Sequence, residues 1–112
     1  MIKKAGIYLL VLVALSGCAG KIGGDYFFNQ IDQLEQALDD SEWKKMNAQA
    51  AQLKEIYQDN KWKIQLLGDE GEYEGLYQSI NKLIAAAKEE DTVNFRIELS
   101  TIRSFVEDIY SL

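Results

Sequence analysis

From residue 25 onward the apolar positions recur in threes and fours, the period of a helix with one buried face. Four such stretches follow one another. The first covers Asp25 to Asp39, with Phe27, Ile31, Leu34 and Leu38 on its stripe and Asp25 placed to cap it. The second begins near Ser41 and runs to Gly68, a residue suited to a left-handed C-cap. Its stripe is Trp43, Met46, Ala50, Leu53, Tyr57, Asn60, Ile64 and Leu67, with only Asn60 polar. The third spans Glu72 to Lys88 and carries Tyr73, Leu76, Tyr77, Ile80, Leu83, Ile84 and Ala87. The fourth starts at Asp91, again a capping residue, with Thr92, Phe95, Leu99, Ile102, Val106 and Ile109. The acidic breaks at 39–41 and 89–91 are short, which sets consecutive helices side by side and antiparallel. The predicted fold is all-α: a small antiparallel four-helix bundle made of two αα-hairpins.

The two hairpins match when the chain is shifted by 49 residues. Ile31 then meets Ile80, Leu34 meets Leu83, Met46 meets Phe95 and Leu53 meets Ile102, with Asp40 on Glu89 at the turn. Forty-nine is seven heptads, so heptad stripes alone would align these apolar positions. Only the matching turns add to that.

The chain before Asp25 follows a different pattern. Lys3 and Lys4 precede an uncharged apolar run of 11 residues, Ala5 to Leu15. Small residues then lead to Cys18, the only cysteine. Positive start, short apolar run and small residues make a signal peptide, which is removed rather than folded. A spanning helix needs about 20 apolar residues, and this segment would reach that only by taking in Lys21 and four glycines. Leu15-Ser16-Gly17-Cys18 resembles the lipobox of bacterial prolipoproteins. The resemblance implies cleavage between Gly17 and Cys18 and attachment of a diacylglyceryl group to the Cys18 thiol. Three parts are expected: a signal peptide over 1–17, a lipidated flexible tether over 18–24, and a helical domain over 25–112. The expected location is the cell membrane, held by lipid on the extracytoplasmic side. Two acyl chains bury about thirty CH₂ groups at roughly 0.8 kcal/mol each, so such an anchor would hardly release.

Composition narrows the function. Past residue 17 ten lysines and arginines face eighteen acids, a net charge of −8. Such a domain is repelled by nucleic acid and, on its own, by anionic lipid. No disulfide is available, and some 95 residues suffice for one small core and not two. Histidine is absent, which removes the commonest general base and metal ligand. The serines have no partner base in sequence, and no cofactor motif is present. The expectation is a non-enzymatic protein that binds another envelope protein.

The turn Asp40-Ser41-Glu42-Trp43-Lys44-Lys45, then Asn60-Lys61-Trp62, Ile64-Gln65-Leu66-Leu67 and an acidic turn before a second hairpin, resembles a family of small bacterial proteins catalogued as domain of unknown function 4363. The resemblance spans nearly the whole chain. It implies a membrane-tethered helical domain working beside a multi-pass membrane protein, with no activity attached.

Two local features are candidates for contact with something else. Trp62 falls off the second stripe, between Lys61 and Lys63, where it can rest on a partner or on headgroups or cap the bundle end. Asp69, Glu70, Glu72 and Glu74 put four carboxylates in six residues, the weak alternative of a small-ligand or cation site. Their spacing does not fit an EF-hand. An interhelical turn with acids at a helix N-terminus explains them without a metal. Tyr73, Tyr77 and Tyr110 are placed to line an edge of the bundle. An open groove lined with Tyr or Trp would favour peptide binding; a closed bundle with converging carboxylates would favour a cation.

Overall fold

The structure, a computed structural model, describes residues 24–111. Among these there are five helices and no strand. They are α1 (Asp25–Asp39), α2 (Trp43–Asp59), α3 (Lys61–Leu67), α4 (Glu70–Lys88) and α5 (Thr92–Ile109). The signal peptide and Cys18 lie outside the described residues.

The helices pack as a helical bundle. α1 lies against α2 and α5, and α4 lies against α5 and α2, with α3 bridging from α2 to α4. The predicted stripes supply most of the core: Phe27, Ile31, Leu34, Met46, Leu53, Ile64, Leu76, Ile80, Leu83, Phe95 and Ile102 are fully buried. Gly75, poor for helix propensity, lets α5 approach α4, since a Cβ there would run into the Phe105 ring. The seam between α1 and α5 is clasped at the surface by Arg103, which reaches Asp32 at 2.6 Å and Glu35 at 2.9 Å. The Asp32 hydrogen bond is the main cause that raises the Arg103 pKa above its ordinary value. Between α1 and α2 the contact is partly polar. Gln30 donates to the Gln49 carbonyl at 2.9 Å and to Gln52 Oε1 at 3.0 Å.

Two turns close one end of the bundle, and they are built alike. After α1, Asp40 is helical, Ser41 is left-handed at φ 54°, and Glu42 leaves the helical region. After α4, Glu89, Glu90 at φ 53° and Asp91 repeat this 49 residues later. The hydrogen bonds match as well. Ser41 and Glu42 N–H donate to Leu38 and Ala37 carbonyls, as Glu90 and Asp91 donate to those of Ala87 and Ala86. This is the Schellman pattern, with a non-glycine residue in the left-handed position. Short helix–helix connections have few conformations; the two hairpins use the same one in the same register. Asp91 caps α5 as expected, accepting from Asn94 N–H. The cap holds the Asp91 carboxyl below its ordinary pKa, through the Asn94 backbone bond first and its side-chain bond second.

Several expectations need correction. α1 is capped by Gly24, not by Asp25, which is its first residue. The second helix is not continuous: it stops at Asp59 and restarts at Lys61. The break falls at Asn60, whose backbone lies at φ −108°, ψ 11°; its side-chain amide donates to the Ile56 carbonyl at 2.8 Å, and its N–H, besides the helical bond to that oxygen, also reaches the Tyr57 carbonyl. An asparagine that bonds nearby backbone offers the chain an alternative to the helix ladder, so a polar residue on an apolar stripe ended the helix. Gly68 is extended at φ −113°, ψ 163°, not left-handed. A Cβ there would lie 2.9 Å from Ile109 Cγ1, so close approach to α5 explains the glycine. Finally, α4 starts at Glu70 rather than Glu72, and Tyr77 and Thr92 are exposed rather than buried.

Two stability predictions follow from this core and these turns. Leu53→Ala should cost about 2–5 kcal/mol in urea unfolding of the soluble fragment Lys21–Leu112, since Leu53 is fully buried. Ser41→Gly and Glu90→Gly should each stabilise by roughly 0.5–1 kcal/mol, the relief at a left-handed residue exceeding the entropy glycine adds to the unfolded chain. Destabilisation by either glycine would show that these residues do not sit at positive φ.

Candidate functional site

The break at Asn60 turns the chain so that α3 stands beside the start of α4 and leaves a groove between them. Its volume is about 550 Å³, within the range of roughly 300–1,000 Å³ usual for ligand sites. Tyr57 closes the α2 side, Lys61 and Gln65 come from α3, and Tyr73, Glu74 and Tyr77 come from α4. The groove is open and mixed in polarity, not an enclosed apolar pocket.

Three tyrosines set its floor and wall. Tyr57 sits on the buried stripe of α2 at 3 % exposure, and its hydroxyl donates to the Tyr73 carbonyl at 3.2 Å. Burial, followed by the neighbouring Tyr77, Tyr73 and Glu74, raises the Tyr57 pKa, so the hydroxyl keeps its proton and stays a donor. Tyr77 packs on it with ring centroids 5.3 Å apart, while remaining 38 % exposed. Lys54 lies over the outer Tyr77 face, 5.6 Å from the centroid. An aromatic wall with amide and charged groups at its rim suits a polypeptide segment better than a small apolar molecule.

The acidic segment does something else. Asp69 caps α4, its side chain accepting from Glu72 N–H at 2.8 Å, and the Glu72 side chain accepts from Asp69 N–H at 2.9 Å. This reciprocal capping box uses both carboxylates. Glu70 lies exposed in the same first turn, and Glu74 turns to the groove. Among the described residues no three acidic, histidine or cysteine side chains converge to hold a metal ion. Leu15, Ser16, Gly17 and Cys18 lie outside the described residues. Trp62 is 61 % exposed, with Lys63 Nζ 5.4 Å from its ring centroid. It is not part of the groove.

A family model described as Domain of unknown function (DUF4363) matches residues 25–112. The chain belongs to the DUF4363 family. No curated protein and no solved structure matches it. The DUF4363 match starts where α1 starts and takes in all five helices, so the groove lies wholly inside the family's domain. Tyr73 and Tyr77 line this DUF4363 groove as an edge of the bundle. Tyr110 does not; it is buried against Phe27, ring centroids 5.9 Å apart, and burial raises its pKa. Sequence reasoning missed Tyr57 as a groove residue. The available signal was a tyrosine where a leucine would serve, since a buried hydroxyl needs a partner.

Asp69→Ala removes the capping box and should cost about 1 kcal/mol. Calcium at millimolar concentration should leave the melting temperature of the unmutated chain unchanged. A calcium-dependent rise that Asp69→Ala abolishes would restore the cation reading.

Proposed function

We propose that this DUF4363 protein is a lipid-anchored, non-enzymatic interaction module of the bacterial envelope. In this reading residues 1–17 are removed, Cys18 carries the lipid, and the four long helices form one closed antiparallel bundle of two hairpins. A membrane-embedded envelope protein then presents a polypeptide segment to the groove between α3 and α4. The observation that carries this reading is the open groove walled by Tyr57, Tyr73 and Tyr77. It opens at the end of the bundle where the chain emerges at Gly24, next to Tyr110. A tether of six residues from Ala19 to Gly24 reaches at most about 20 Å, which keeps that end beside the bilayer.

Two measurements test the reading in cells. Cys18→Ala should leave an unprocessed precursor without lipid. A photo-crosslinking residue at Gln65, on the groove, should join the chain to an envelope protein, and the same residue at Val93 should not. Tyr77→Ala should weaken that association by about 2 kcal/mol, roughly thirtyfold, if Tyr77 is an anchor of the interface. Circular dichroism of the variant checks that its fold survives. An intact N-terminus with an unmodified thiol in the wild-type protein would contradict the anchor. Equal cross-linking from both positions would contradict the groove.

A further inference from the structure

The geometry points to the outer face of α3 as a bilayer contact: Trp62 and Leu66 rest among lipid headgroups at the end of the bundle from which the tether leaves. This rests on the lipid-anchored reading of Cys18.

α3 is apolar on both sides. Ile64 is fully buried and Leu67 packs against the core, which accounts for the inner side. On the outer side Trp62 and Leu66 stand one turn apart at 61 % and 76 % exposure. A single exposed leucine is ordinary. A tryptophan and a leucine stacked on the outer face of a seven-residue helix, with lysines as its only charges, are not required by the fold. That combination matches the membrane interface, where tryptophan sits at headgroup level and lysine reaches the phosphates.

Position supplies the second argument. Gly68, at the end of α3, abuts Ile109, and Gly24, where the described chain begins, abuts the ring of the next residue, Tyr110. α3 and the tether exit therefore share one end. The other end carries the turns at 40–42 and 89–91, with Trp43 packed edge-on against Phe95 at 5.9 Å. α4 has 19 residues and measures about 28 Å, more than the roughly 20 Å a six-residue tether can reach. A lipid at Cys18 thus keeps the α3 end within about 20 Å of the surface and excludes the inverted orientation.

Charge supplies the third. α3 carries Lys61 and Lys63 and no acid, while the chain past residue 17 is at −8. Anionic headgroups attract these two lysines and repel the flanking Asp59, Asp69 and Glu70 with the rest of the chain, so charge sets the α3 face downward only once the lipid has confined the domain. Without the lipid the net charge opposes binding.

The two tryptophans make the test direct. The chain from Cys18 to Leu112 keeps every core residue, and its single cysteine can be coupled to a maleimide-bearing phospholipid. Vesicles of phosphatidylglycerol and a phosphatidylcholine brominated at acyl carbons 6 and 7, just below the headgroups, then quench any tryptophan whose ring reaches the headgroup–acyl boundary. Quenching is expected for the coupled chain, should vanish in Trp62→Phe, and should fall by half or more in Leu66→Asp. Trp43 in the Trp62→Phe chain should emit equally in brominated and unbrominated vesicles. Uncoupled Cys18→Ser chain should show no quenching. An unquenched Trp62 would overturn the proposal and leave that residue to a protein partner. Quenching of Trp43 as strong as that of Trp62 would overturn the orientation. Chemical coupling bypasses lipidation in the cell, so the mass of the native protein judges the anchor and quenching judges α3 separately.

Discussion

Each of the four long helices has a single apolar stripe and buries it against two of the others. Everything else in the structure follows from that shared core. Phe27 and Leu34 on α1, Leu53 on α2, Leu76 and Leu83 on α4 and Phe95 and Ile102 on α5 are all buried where these helices pack. The same packing brings polar side chains together across helices. Asn47 reaches across from α2 to the Ala87 carbonyl at 3.2 Å, Tyr57 reaches Tyr73, and Arg103 clasps α1. With no disulfide possible, burial by packing is the main stabilising term.

The shared core makes the two ends of the bundle different. One end is closed by two tight Schellman turns whose hydrogen bonds correspond residue for residue. The other end holds the chain entry at Gly24, the end of α5 and the inserted α3. That insertion exists because Asn60 interrupts α2. α3 keeps Ile64 in the core, and its Lys61 and Gln65 border the groove beside Tyr57 and Tyr77. The groove and the outer face of α3 are thus two products of one local event. In the proposed function both serve a domain held close to a membrane.

The helical stripes were legible because helix period and burial are the same physical fact. Phe27, Ile31, Leu53, Ile80 and Val106 were readable from spacing alone, and all are buried. The acidic breaks were legible because they interrupt that period. What spacing could not show was competition between side chain and backbone. Asn60 looked like one polar position on a long stripe, and its bond to Ile56 was invisible without coordinates. Gly68 looked like a left-handed cap, whereas its need is room for Ile109. The acids at 69 and 72 looked like possible ligands or solvated caps, and reciprocal hydrogen bonds select the cap. Trp62 stands out in the sequence because it leaves the stripe. Tyr57 was overlooked as a site residue because it kept to it.

The central claim is spatial: tether exit, α3 and groove occupy one end, and the tight turns occupy the other. Paired spin labels on exposed positions test it most directly, in a Cys18→Ser background that leaves no other thiol. One pair replaces Tyr26 and Leu66, at the tether end of α1 and on α3. The other replaces Tyr26 and Val93, which lies beside the turn at 89–91. The account predicts a clearly shorter distance for Tyr26 with Leu66 than for Tyr26 with Val93, because the latter pair spans most of the roughly 27 Å length of the 18-residue α5. A shorter distance from Tyr26 to Val93 would place α3 away from the tether and contradict the account.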